Sequence, residues 1–163
     1  VDRTNIQSRI DAAAAGQISV PNVNMHRLMT NMKSQIEAND MVAFVDGNAN
    51  YVAFTRQNFG QVITYDQYEE QVLPMVMSSY AAKAGYREII GGERVVYGGK
   101  EFIIIEVEFD TGNSREHILQ LVYIDGADMY VIASNVLYLY DQTVIDAFNS
   151  AVLEAAATIV SGK

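Results

Sequence analysis

Apolar residues recur along this chain with two periods, and the changes of period divide it into elements. Ile6, Ile10, Ala13 and Ala14 follow helical spacing until Gly16 supplies a stop. Residues 18–20 precede Pro21, which pushes the residue before it out of the helical region, so an extended piece is expected there. Asn24 then caps a helix whose stripe is Met25, Leu28, Met29, Met32 and Ile36. From Met41 the period shortens to two over residues 42–45 and 51–55, which flank the turn-forming stretch 46–50 and predict a hairpin. Asp66 with Glu69 marks a helix start, and Tyr68, Val72, Met75, Val76, Ser79 and Tyr80 continue one face until Gly85. Pro74 interrupts that face, so a kink or two abutting helical pieces are expected. Beyond Tyr86 the chain alternates through strands broken at Gly91-Gly92, Gly98-Gly99, residues 110–114 and residues 125–128. A last helix opens at Asp141 and buries Val144, Ile145, Phe148, Val152, Ala156 and Ile159 before Gly162.

A two-residue turn at Gly126-Ala127 sets Tyr123 opposite Tyr130 and Leu121 opposite Ile132. Both faces of that ribbon are then apolar: Leu119, Leu121, Ile132 and Val136 on one, Ile118, Val122, Ile124, Val131 and Leu137 on the other. A sheet that is apolar on both sides needs cover on both sides. The fold class expected is therefore α+β, as an α/β/α sandwich with a central antiparallel sheet covered by helices on both faces. Residues 1–23 read as a peripheral N-terminal helix and linker, and residues 24–163 as a single domain.

Charge narrows the partners. The chain of 163 residues carries a net charge of -9, and from Glu101 onward ten acids face only Arg115 and Lys163. Such a surface repels phosphate backbones, so nucleic acid is not an expected partner, whereas a protein or peptide with a basic surface is. The chain contains no cysteine, which suits an extracytoplasmic bacterial protein of the cell surface or periplasm. Val1 in place of methionine fits a cleaved export signal, or a lipid anchor upstream of Val1. No apolar run approaches the ~18 residues that a membrane helix needs.

Candidate chemistry is sparse. Carrying one parity through the strands puts Ile103, Ile105, Val107 and Phe109 with Leu121, and sets Glu106 and Glu108 beside Gln120 and Asn135 on the other face. Carboxylates two residues apart on a strand stand roughly 7 Å apart at Cα. They can share a cation, act as an acid and base pair, or simply meet water. Tyr123 and Tyr130, with Tyr138 and Tyr140 near them, offer rigid contact area for a partner. The stretch from Asp46 begins like a calcium loop but puts Tyr51 where glycine belongs and Gln57 where a bidentate glutamate belongs, so turn chemistry is expected. Met25, Met29 and Met32 beside His26 read as core packing, and His117 as a structural histidine. No nucleophile elbow or phosphate loop occurs. No catalytic residue, metal or cofactor is assigned, and a non-catalytic module is expected. The alternatives are a carboxylate-based or metal-assisted hydrolase using Glu106 and Glu108, and a small acidic secretion-chaperone-like dimer with Tyr123 and Tyr130 at its interface.

The order of elements resembles the PsbP-like fold, shared by the photosystem extrinsic protein, a nuclear Ran-binding protein and many small bacterial lipoproteins. Four stretches carry the likeness: the hairpin 40–57, the helix 66–85 ending in Gly85-Tyr86, the glycine-turned strands 93–109, and residues 120–138 leading into 141–160. Such domains commonly open with a strand ending in proline and tryptophan; here Ile18-Ser19-Val20-Pro21 stands in, without tryptophan. The resemblance implies an α/β/α sandwich serving as an exported accessory or assembly module without catalysis. A monomer is expected, and the mass measured in solution checks it: a dimer would favour the chaperone-like alternative.

Overall fold

The computed structural model describes residues 41–45, 50–137 and 142–158. Strands β1 (Met41–Val45), β2 (Tyr51–Asn58), β3 (Tyr86–Tyr97), β4 (Lys100–Asp110), β5 (Arg115–Asp125) and β6 (Asp128–Leu137) form one antiparallel sheet in the order β1-β2-β6-β5-β4-β3. The last four strands are a meander, and the first hairpin adds to its β6 edge. Gly98 and Gly99 turn β3 into β4 with φ of +56° and +78°, a left-handed pair that residues with a Cβ adopt only under strain. The expectations for residues 1–40, for the loop 46–49, for Tyr138 and Tyr140, and for Ile159 and Gly162 lie outside the described residues.

The β5–β6 pairing is the one that the two-residue turn requires, with Leu121 opposite Ile132 and Tyr123 opposite Tyr130. Strand β4 departs from expectation. Asp110 pairs with Arg115, and Ile104 with Leu121. A loop with an even number of residues makes cross-strand partners differ by an odd number, so parity must invert at the hairpin rather than carry through. Phe102, Ile104, Glu106 and Glu108 therefore lie on the Leu121 face, and Ile103, Ile105, Val107 and Phe109 lie with Ile118 and Val122.

Between β2 and β3 the chain makes one helical turn α1 (Tyr65–Gln67), a π-helical segment (Tyr68–Val72) and α2 (Leu73–Ala81). Thr64, not Asp66, caps it: the Thr64 hydroxyl accepts from the Gln67 amide at 3.2 Å while Gln67 Oε1 accepts from the Thr64 amide at 2.9 Å. Pro74 falls in the first turn of α2, where its missing N–H breaks no bond, and the wider π turns before it absorb the junction of the two helical pieces. Tyr68 enters the core of Ile103, Ile105, Val107, Ile118 and Val122. On the opposite face, Val152 and Ala156 of α3 (Gln142–Thr158) join Phe102, Ile104, Leu119, Leu121 and Ile132.

The expected α/β/α sandwich, with helices layered over both faces, does not form. The molecule is mostly a six-stranded antiparallel sheet with one short helical stretch and one C-terminal helix. Among the described residues, helical cover is limited to the short stretch on one face and α3 alone on the other, and β3 is largely exposed or half-exposed along its length. Two-sided apolarity in a strand therefore does not by itself call for a full helical layer on each side of the sheet.

Gly85 joins α2 to β3 at φ +73°, and a Cβ there would drive into the backbone of Asp110, whose amide donates to the Gly85 carbonyl at 2.8 Å. Gly112 has a similar φ of +79° but open space around it. Gly85→Ala is therefore expected to destabilise the fold by more than about 2 kcal/mol, and Gly112→Ala by about 1 kcal/mol, in denaturant unfolding. Equal losses would show that backbone strain alone, not the close approach to Asp110, sets the requirement at Gly85.

Candidate functional site

The sheet divides the residues singled out in the sequence between its two faces. On the α3 face the register aligns Arg87, Glu108 and His117 across three strands. Glu108 is 6% exposed. Arg115 Nη2 donates to both of its oxygens, at 2.9 and 3.0 Å, and Arg87 forms a further ion pair with it. Burial works against the charged form of Glu108, but the hydrogen bonds from Arg115 and Arg87 outweigh it and hold the carboxyl below its ordinary range. Glu106 stands 2.8 Å from Nε2 of His117, itself 3% exposed. Next along this face the Ser134 hydroxyl donates to Asn149 of α3 at 3.0 Å.

Gln120 and Asn135 occupy the opposite face, so the structure separates them from Glu106 and Glu108. Gln120 Oε1 accepts from the Tyr80 hydroxyl at 3.0 Å. Asn135, 8% exposed, donates through Nδ2 to Glu116 Oε1 at 2.7 Å, while its own Oδ1 is buried without a hydrogen-bond partner. Tyr51 pairs with Asn135 across β2 and β6. Burial raises the pKa of Tyr51 and pushes that of Tyr80 up to about 12, so both hydroxyls stay protonated through the physiological range. Glu116, Tyr51 and Tyr80 were not legible as one group in the sequence. Alternation in β5 carries a signal for Glu116, which shares a face with Ile118 and Gln120; nothing local points to Tyr80, which arrives from α2.

The tyrosine pair forms as the turn dictates. Tyr123 and Tyr130 face each other with ring centroids 6.1 Å apart, and Phe102 extends the row at 5.5 Å from Tyr123. The Lys100 ammonium lies 5.2 Å from the centre of the Tyr123 ring. These tyrosines are half-exposed and belong to the same face as Glu106 and Glu108. Of the remaining acids, Asp110 and Asp125 are exposed, whereas Asp128 accepts from Arg56 and Asn58 across the β2–β6 pairing. Among the described residues no group of three or more His, Cys, Asp or Glu side chains is placed to hold a metal ion. No described helix is long and apolar enough to cross a membrane.

No family model matches the chain, and no curated protein sequence matches it. Among solved structures it is similar to PA94 from Pseudomonas aeruginosa, a protein of unknown function, at 9% identity and a TM-score of 0.53, over 76% of this chain and 82% of that one. It is also similar to LpqN, involved in cell envelope biogenesis of Mycobacterium tuberculosis, at 12% identity and a TM-score of 0.43, over 72% of this chain and 76% of that one. The likeness to PA94 concerns the fold alone, and the likeness to LpqN is too loose to carry an argument. Resemblance to the PsbP-like fold thus rests on the order of elements.

The ion-paired Glu108 has a consequence for stability. Its folded-state pKa is lowered from an ordinary 4.5, so its stabilisation is fully present above that value and is lost as pH falls through the lower, folded one. Glu108→Gln is expected to lower the unfolding free energy at neutral pH by about 1–3 kcal/mol, because Arg115 and Arg87 lose a charged acceptor. The gap between the two proteins should close in strong acid. A gap that stayed constant with pH would show that packing, not charge, is what the substitution removes.

Proposed function

We propose that this chain is an exported, PsbP-like accessory module that binds a protein or peptide with a basic surface and carries out no catalysis. One observation supports the absence of chemistry above others: the carboxylates best placed for it are engaged within the fold. A general acid or base must exchange a proton near working pH and reach a substrate. Glu108 is buried and held ionised by two guanidinium groups, and Glu106 is committed to a buried histidine. A hydrolase built on this pair would have to break the Glu108 ion pairs with Arg87 and Arg115 and the Glu106–His117 contact before its first proton transfer.

Binding is supported by charge and by what remains exposed. The net charge of -9 favours a basic partner, and Asp110 and Asp125 stand in water where they can attract one. Half-exposed Tyr123 and Tyr130 supply rigid contact area beside Asp125. A chain without cysteine is suited to an oxidising, extracytoplasmic setting.

The folded protein is expected to give no turnover above buffer with chromogenic ester, phosphoester and glycoside substrates, and to bind an oligolysine with an association rate that falls as salt rises. Turnover that Glu106→Gln or Glu108→Gln abolishes while the near-UV circular dichroism is retained would overturn the reading.

A further inference from the structure

We propose that Tyr51, Tyr80, Glu116, Gln120 and Asn135 form a pocket for a primary ammonium group, that of a lysine side chain or of a small free amine. The inference rests on the binding-module reading and gives it a site on the α2 face, away from the paired glutamates.

The register builds the cluster. Asn135 of β6 lies between Tyr51 of β2 and Ile118 of β5, and Glu116 and Gln120 flank Ile118 on the same face. Tyr80 closes the group from α2 through its bond to Gln120. The chemistry it offers is unbalanced. Asn135 Oδ1 is buried with no hydrogen-bond partner, although the other half of the same amide is used by Glu116. Buried carbonyls are rarely left without a donor, so one without calls for an explanation, which a bound donor would supply. Glu116 adds a full negative charge and, among the described residues, accepts a hydrogen bond only from Asn135. Gln120 Oε1 accepts one bond from Tyr80 and has a second lone pair. Acceptors from three neighbouring side chains, one of them charged, call for a cation that brings several N–H donors. An ammonium carries three.

The aromatic walls agree in sign. Tyr51, Tyr80, Glu116 and Gln120 are half-exposed, so the rim of the group meets solvent while the Asn135 amide is buried within it. A cation already stands at the rim: the exposed Lys83 ammonium lies 5.6 Å from the centre of the Tyr80 ring and 4.7 Å from that of Phe109. Phe109 in turn pairs with Glu116 across β4 and β5. Lys83 thus contributes an ammonium near the pocket that competes with an incoming one.

Titrating the full chain with blocked Gly-Lys-Gly, followed by two-dimensional NMR, tests the pocket. The peptide is expected to shift the Asn135 side-chain amide together with resonances of Tyr51, Tyr80 and Gln120. Its Nε-acetyl form, without charge, and its Nε-trimethyl form, without N–H donors, should each bind at least about tenfold more weakly, matching the loss of a charge-assisted hydrogen bond. Glu116→Gln should weaken the lysine peptide by a similar factor, and Lys83→Met should tighten it several-fold. 1,4-Diaminobutane binding on the same resonances as tightly as the peptide would assign the pocket to small amines, with ammonium recognition upheld. Shifts confined to other residues, or equal binding of the acetylated peptide, would overturn the proposal. So would unchanged or weaker binding by Lys83→Met, a surface variant that carries the test even where Glu116→Gln fails to fold. Absence of ammonium binding without hydrolytic turnover sinks the pocket alone, whereas turnover in the substrate panel sinks the binding-module reading beneath it.

Discussion

Strands β4 and β5 carry apolar side chains on both faces, so the register between them decides which residue enters which core. A slip of one position would exchange the two sets and send Glu106 and Glu108 toward Tyr68 and the helical stretch. The four-residue connection at 111–114 prevents this. Gly112 takes a left-handed φ, its amide bonds Asp110, and the Thr111 amide bonds the Ser114 carbonyl, which locks Asp110 opposite Arg115. The rest of the sheet is referred to that pair: β6 is set on β5 by its own tight turn, and β2 on β6.

Once the register is set, charges near the ends of the central strands must find partners, because a buried ion without one is far more costly than a buried apolar group. The two faces solve this differently. On the α3 face Glu108 gathers two arginines and Glu106 a histidine, whose Nδ1 is buried without a hydrogen-bond partner. Across the sheet the pairing is incomplete. Asn135 bridges to Glu116 with one half of its amide and leaves the other half without a donor. Asn135 Oδ1 is an acceptor beside a carboxylate, a setting that suits a cationic donor.

The helical stretch between β2 and β3 is tied to the sheet by charge as well as by Tyr68. Arg94 of the edge strand β3 donates to both oxygens of Glu69, at 2.8 and 2.7 Å, pairs with Asp66 and stacks near the Tyr65 ring. Leu73 lies over Gly92, where a side chain would collide with it. Asp66 and Glu69, which look like helix-start signals in the sequence, serve to clamp the helix to β3. Two register shifts in β3, between Glu88 and Ile90 and between Gly91 and Glu93, interrupt an exposed edge that would otherwise invite pairing with another chain.

Local rules were enough to determine much of this protein. Alternation with period two located the strands, glycine and aspartate located the turns, and the two-residue turn at Gly126-Ala127 implied the β5–β6 register down to the Tyr123–Tyr130 pair. Those features depend on neighbours in the chain. What lay beyond the sequence depends on distant partners. Parity through the β4–β5 hairpin hinged on one loop's residue count, and it moved Glu106 and Glu108 away from Gln120 and Asn135. Extent of helical cover could not be read from two-sided apolarity, since the pattern does not say how many strands share it. Glu116, Tyr51 and Tyr80 come from three elements far apart in sequence. Only tertiary packing, which sets strand order and lays α2 across β5, brings their acceptors to one place.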